Sequence, residues 1–286
     1  MPVTATPPAV LLLRPGIPVV RRDADTLQVG LHPPLAACLP DRPEVRDLLA
    51  TLRDGATVPS PGSLAPEAAH ALAALRAADL VLTGAPAPGR PDLTAARAQF
   101  GSDGSRRLAA RSRHTIGVRG ATACRSLAAS LAASAGLVVD DGAPAVWLVV
   151  ETGQVSRDTL DPLVRAGVPH LVVSGDAAGR RVGPFVEPGR TACLRCVDAH
   201  EAESDPRRPF LLEQAARSGG VSPVDPVLDQ LALAWAVRDL SRYLEGDEPS
   251  TWSATVDIGP GSAPRVMQWL RHPHCGCAWD LLLDLA

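Results

Sequence analysis

The chain has 286 residues, 46% hydrophobic and 21% charged, with a formal net charge of −3. That is room for one large or two modest globular domains and leaves no basic footprint for nucleic acid. All 28 of its Lys/Arg residues are arginine, so chemistry that needs a lysine ammonium or a Schiff base is excluded.

The first apolar run, Ala9–Leu13, is too short for a signal-peptide core or a membrane span. The expectation is a cytoplasmic protein whose thiols stay reduced. Up to Thr83 the pattern is three strands and then helices. VLLLRPG and IPVVRR are short apolar runs, and TLQVGL alternates to set Leu27, Val29 and Leu31 on one face. The turn Asp23-Ala24-Asp25 between the last two predicts a hairpin. Pro43 opens a helix whose apolar face is Val45, Leu48, Leu49 and Leu52 and which ends at Gly55. A second helix over Pro66–Ala77 presents Ala68, Leu72 and Leu75. Residues 84–113, with GAPAPGRP and FGSDGS, read as a linker holding one short helix, Leu93–Gln99. The expected division is therefore 1–83, 84–113 and 114–286.

Beyond the linker, strands and helices alternate. HTIGVRG reads as a strand, and Cys124, Leu127, Ala128 and Leu131 mark a helix that stops at Gly136. LVVDD, VWLVVE and PHLVVS are Val-rich strands, with a helix around Arg157–Ala166 among them. Wholly apolar strands with intervening helices predict an α/β domain: a parallel sheet covered on both faces. A helix over Asp225–Tyr243 should turn Val227, Leu228, Leu231 and Trp235 inward, and SATVDI and RVMQWL should form a late hairpin.

RTACLRC holds Cys193 and Cys196 at CxxC spacing, and HPHCGC near the C-terminus holds Cys275 and Cys277. Two close pairs from distant segments suit a structural zinc site, in which four thiolates leave no position for an activated water. A thioredoxin-type redox pair is the alternative and would leave the CxC unexplained. His272 and His274 flank the second pair and could substitute as ligands. Cys38 and Cys124 stand alone and read as small buried apolar residues.

The strand ending at Gly120 invites a nucleotide phosphate at the next helix, with Asp140 placed for a ribose. Thr122 and Arg125, however, stand where the second and third glycines of such a turn would fall. A plain helix cap and a solvated turn account for Gly120, Asp140 and Asp141 equally well.

The segment GPFVEPGRTACLRCVDAH, residues 183–200, leads from a GP…PG turn into the CxxC. It resembles the ThiF/MoeB-like (ubiquitin-activating-enzyme-like) superfamily. More narrowly, it is similar to the cyclodehydratase "C" proteins of thiazole/oxazole-modified peptide (bacteriocin) biosynthesis. The resemblance implies a degenerate Rossmann-like ThiF-type domain with one zinc held by Cys193, Cys196, Cys275 and Cys277. RPGIPVVRRDADTLQVGLHPP resembles the small winged-helix peptide-recognition domain of that family. Adenylating members use a full glycine turn, an arginine and an essential lysine; this chain lacks the lysine and the full turn, so ATP is not expected.

What remains implied is a non-catalytic scaffold that binds a precursor (leader) peptide and presents it to a YcaO-type cyclodehydratase. An ATP-dependent adenylyltransferase with an atypical site is the alternative, and a homodimer is compatible with either. The leader would bind by strand addition, on Leu27, Val29 and Leu31 of the strand and Leu72, Leu75 and Arg76 of the helix. Those leucines and Val29 suit an ordinary core equally, and Arg76 a solvated face. A winged-helix DNA-binding regulator is disfavoured, because Pro66–Ala77 carries Arg76 as its sole basic residue apart from His70.

Overall fold

A computed structural model describes residues 9–120, 122–218, 223, 225–261 and 263–278. The chain forms two compact units, residues 1–109 and 110–286. The first begins with strands β1 (Ala9–Leu13), β2 (Val19–Arg21), β3 (Thr26–His32) and β4 (Leu35–Pro40). Then come helix α1 (Pro43–Asp54), strand β5 (Thr57–Val58), helix α2 (Pro66–Ala77) and strand β6 (Val81–Thr83).

Local chemistry explains α1. Pro43 sits in the first turn, Glu44 and Arg53 complement the helix dipole, and Gly55 closes the helix at φ 65°, its N–H donating to Leu52 O. Val45, Leu48, Leu49 and Leu52 are buried, as their spacing predicts. Each such side chain is worth roughly 1.5–3 kcal/mol. Ala68, Leu72 and Leu75 of α2 join the same core.

The strands differ from expectation in two ways. β1 leaves the predicted three-stranded sheet and pairs antiparallel with β5 and β6 instead. Its place is taken by β4, so the sheet runs β2-β3-β4 with the hairpin at Asp23–Asp25 intact. Leu31 does not share the face of Leu27 and Val29. The β3–β4 register shifts between Val29 and His32, and Gly30 sits there at φ 79°. A Cβ at Gly30 would lie 1.9 Å from Leu35 O. The bulge slips the alternation and turns Leu31 out to 55% exposure.

Residues 84–113 carry two helices rather than one: α3 (Pro91–Phe100) and α4 (Gly104–Arg113), the latter running across the boundary between the units. Buried Arg14 fixes α3 to β1, donating from Nε to Ala98 O (3.0 Å) and from Nη2 to Gln99 O (2.7 Å) while pairing with Asp79. Residues 84–109 fall within the first unit.

The second unit contains β7 (Thr115–Gly120), α5 (Thr122–Ser134), β8 (Val138–Val139), β9 (Val146–Val150) and α6 (Arg157–Arg165). It continues through β10 (His170–Asp176), β11 (Gly179–Val186), α7 (Leu194–Ala202) and α8 (Arg208–Arg217). It closes with α9 (Pro226–Glu245) and the hairpin β12 (Ala254–Ile258) and β13 (Arg265–Gln268). One seven-stranded sheet runs β13-β12-β11-β10-β9-β7-β8, parallel from β10 to β8 and antiparallel from β10 to β13. Apolar side chains of α5 and α9 cover one face; Leu160, Leu163, Leu194 and Val197 of α6 and α7 cover the other. The mixed α/β sheet matches a Rossmann-like arrangement.

The inward face of α9 overlaps only in part with the one its spacing suggested: Leu228 and Trp235 pack against the core as expected, Val227 and Leu231 do not. Val227 is 71% and Leu231 43% exposed, while Ala232, Leu233, Ala236, Val237, Leu240 and Leu244 are buried. Small alanines allow the close approach that the larger residues at the start of the helix would prevent. Trp235 is half-buried with its indole N–H donating to Ser250 Oγ, a compromise its polar edge favours.

Candidate functional site

The four predicted cysteines come together. Cys193 is the N-cap of α7, and Cys196 N–H donates to Cys193 O at 2.9 Å, the tight turn that aims both sulfurs one way. From the other end, Cys275 N–H donates to His272 O, and a 3-10 turn over Gly276–Ala278 carries Cys277. The Sγ atoms lie 3.7 Å apart for Cys193–Cys196 and 3.6 Å for Cys193–Cys275. They lie 3.4 Å apart for Cys193–Cys277 and 3.3 Å for Cys196–Cys277. A tetrahedron with ~2.3 Å metal–sulfur bonds has edges of about 3.8 Å. The group therefore fits one tetrahedral metal ion after a slight expansion.

The thiols perturb one another strongly. Hydrogen bonding among the thiols, led by the Cys193–Cys196 bond, drives Cys193 far up and holds Cys196 far below the ordinary thiol range. Cys275 falls to about 7, chiefly through its bond to Cys193. Four thiols this close share protons poorly, and a cation in their midst lets all four ionise. Val186, Ala192 and Trp269 pack around them. Of the two solitary cysteines, Cys124 is buried as predicted, but Cys38 is exposed on the outward side of β4.

Gly120 has φ 136°, and a Cβ there would meet Val150 O at 1.8 Å, so this glycine serves the approach of β7 to β9. Asp141 accepts from Val118 N–H at 2.9 Å and pairs with Arg125 of α5. Asp140 is exposed and accepts from Gly142 N–H, closing its own turn. The Arg125–Asp141 ion pair thus joins α5 to the segment after β8.

Sequence reasoning missed the charged cluster near the ends of β7 and β9. Arg180 of β11 is almost fully buried, donates from Nη1 to Glu151 O (2.7 Å) and places Nε 3.1 Å from Asp229 Oδ1 of α9. Cys124 Sγ lies 3.6 Å from Asp229 Oδ2. Burial pushes the Glu151 carboxyl and the Cys124 thiol up and the Arg180 guanidinium down. The available signal was an arginine pair inside an otherwise apolar strand, GRRVGPFV. Beside it lies a cleft of about 330 Å³ lined in part by Arg157, Arg180, Arg181, Arg208 and Arg265. Most of that charge is already answered. Arg157 is held bidentately by Asp198, Arg181 by Asp257 and Glu201, and Arg208 by Glu201.

In the first unit the six predicted groove residues separate. Val29, Leu72 and Leu75 are fully buried and Leu27 is half-buried against them, so all four serve the core. Leu31 and Arg76 are exposed. β3 is the central strand, and its edges are taken by β2 and β4. β4, which packs against α2, has no strand on its outer edge among the described residues.

No protein-family model matches the sequence, and no curated protein matches it either. Solved structures do match. The heterocyclase TruD is matched at a TM-score of 0.73 and 15% identity, over 95% of this chain and 43% of TruD. A heterocyclase in complex with substrate and cofactor is matched at 0.70 and 13%, over 94% of this chain and 39% of that one. MccB from E. coli is matched at 0.63 and 11%, over 94% of this chain and 96% of MccB. This chain shares the fold of TruD and MccB. The expected likeness to ThiF/MoeB-like proteins and cyclodehydratase partners is borne out as a likeness of fold. The chain spans less than half the length of the heterocyclases and nearly all of MccB, which has itself been solved with ATP and with AMPCPP and MccA.

Proposed function

We propose that this chain is a non-catalytic scaffold of thiazole/oxazole-modified peptide biosynthesis. It binds a leader peptide and presents it to a YcaO-type cyclodehydratase. The first unit is the winged-helix-type recognition module, and the second is a degenerate ThiF-like domain stapled by one zinc on Cys193, Cys196, Cys275 and Cys277. Soft, closely set thiolates select Zn2+ over harder ions. The reading rests on one observation above the rest: a free six-residue strand edge, β4, beside a helix, in a fold shared with a heterocyclase.

The peptide would extend the sheet along β4, gaining backbone hydrogen bonds there and side-chain contacts with Leu31 and Arg76. Hydrogen exchange on the full chain tests this. Adding a leader peptide should slow exchange of those β4 amides that point away from β3, every second one along Leu35–Leu39, because new ladder bonds protect them. Binding that leaves β4 exchange unchanged would sink strand addition.

Adenylation is the second reading, favoured by the fold shared with an MccB that binds ATP. The Arg125–Asp141 pair and the absence of lysine stand against it. ATP–pyrophosphate exchange by the purified chain with leader peptide present would overturn the scaffold reading.

A further inference from the structure

One helical turn beyond the CxxC, the last turn of α7 carries His200, and Glu203, the C-cap, follows three residues later on the same side. His272, from the segment after β13 that also delivers Cys275, reaches the same spot. His200 Nδ1 lies 3.4 Å and His272 Nε2 lies 3.7 Å from Glu203 Oε1. The three ligand atoms all fall within 4.8 Å of one another. Two nitrogens and an oxygen around a tetrahedral ion with bonds of ~2.0–2.1 Å stand about 3.4 Å apart.

The hydrogen bonding around His200 fixes its chemistry. Nε2 is 3.0 Å from Leu270 O, a pure acceptor, so Nε2 carries a hydrogen, and in the neutral ring Nδ1 presents a lone pair. That lone pair faces a carboxylate oxygen at 3.4 Å. Two electron-rich atoms so placed need a cation between them. A backbone carbonyl holding the far nitrogen is also the usual support for a metal-bound imidazole, since it sets the tautomer and the ring orientation. A second imidazole in reach favours a metal ion over a proton. Recruiting His272 requires its hydrogen on Nδ1, at the cost of a long 3.2 Å contact from His274 N–H.

We propose that His200, Glu203 and His272 form a second metal site, separate from the four cysteines, for a borderline divalent transition ion such as Zn2+. Three protein ligands leave a fourth position to water, and Glu203, 66% exposed, keeps the site open to solvent. The ion ties the residues after β13 to the end of α7, so the same two segments are joined twice. Imidazole and carboxylate make this site harder than the thiolate one, and it exchanges its ion more readily.

The test uses full-length protein dialysed against excess Zn2+ and assayed for bound zinc per chain. Glu203→Ala and Glu203→Gln are the variants, because an exposed side chain can be replaced without unfolding the unit. Wild type should hold one zinc more than either variant, whatever the four cysteines contribute. Excess Zn2+ should also raise the unfolding temperature of wild type and leave both variants unmoved. Equal zinc content in wild type and both variants would overturn the proposal, as would an identical thermal response.

Discussion

His170, the first residue of β10, is 1% exposed. Its Nδ1 donates to Val168 O at 2.9 Å, and its Nε2 is buried with no hydrogen-bond partner among the described residues. Burial pushes its pKa down, against a smaller upward pull from Val168 O. The unfolded chain takes up this proton near pH 6.5 while the folded chain refuses it until lower pH. Stability contributed by the neutral form is therefore full above about 6.5. It is lost as pH falls toward the folded value, by at most about 1.4 kcal/mol per unit. Between pH 7.5 and 5.5 the urea midpoint of wild type should drop further than that of His170→Leu. Metal release in acid is common to both proteins and cancels from the comparison. Equal drops would remove His170 as a source of acid lability. None of this was legible in PHLVVS, where the histidine looks like a strand boundary. Burial depends on α6, α7 and the neighbouring strands, which a local reading does not assemble. The cysteines were the opposite case, because zinc-type spacing is a local property and Cys193, Cys196, Cys275 and Cys277 could be grouped before any fold was known.

At the scale of elements, apolar spacing located α1, α2, α5, α6 and the strands β7 to β10 well. It failed where an element owes its place to something other than apolar side chains. β4 begins just after two prolines and carries alanines and a cysteine, so little in it announces a strand until β3 is beside it. Gly30 then shifts the register and moves Leu31 out of the face that alternation assigned to it. β11 was hidden by Arg180 and Arg181, whose charges are matched by α9, α7 and β12. The Arg180–Asp229 contact between β11 and α9 gives a direct test. Removing one member of a buried pair strands the other charge and costs about 3–5 kcal/mol, whereas replacing both with apolar groups costs far less. Asp229→Ala should lower the urea unfolding free energy of the second unit by about that amount. The double variant Arg180→Met/Asp229→Ala should recover most of it. Additive losses in the double-mutant cycle would mean that Arg180 and Asp229 do not depend on each other.

The whole molecule is two units with different sources of stability. The first has a core of leucines from α1, α2 and the strands, with no metal group found among its described residues. The second has apolar cores of its own and also brings four cysteines together where the segment of Cys275 and Cys277 meets α7. If a structural ion sits there, its binding free energy is folding free energy for that unit alone. Calorimetry of the full chain should show two transitions, and a strong chelator should lower one of them while leaving the other in place. Cys193→Ser should reproduce the chelator's effect without any chelator. Leader-peptide affinity, measured below the lower transition, should survive both treatments, because β4, Leu31 and Arg76 all lie in the first unit. Affinity that falls in step with the metal would mean that the peptide reads the second unit as well, and the division of labour between recognition and scaffold would have to be redrawn.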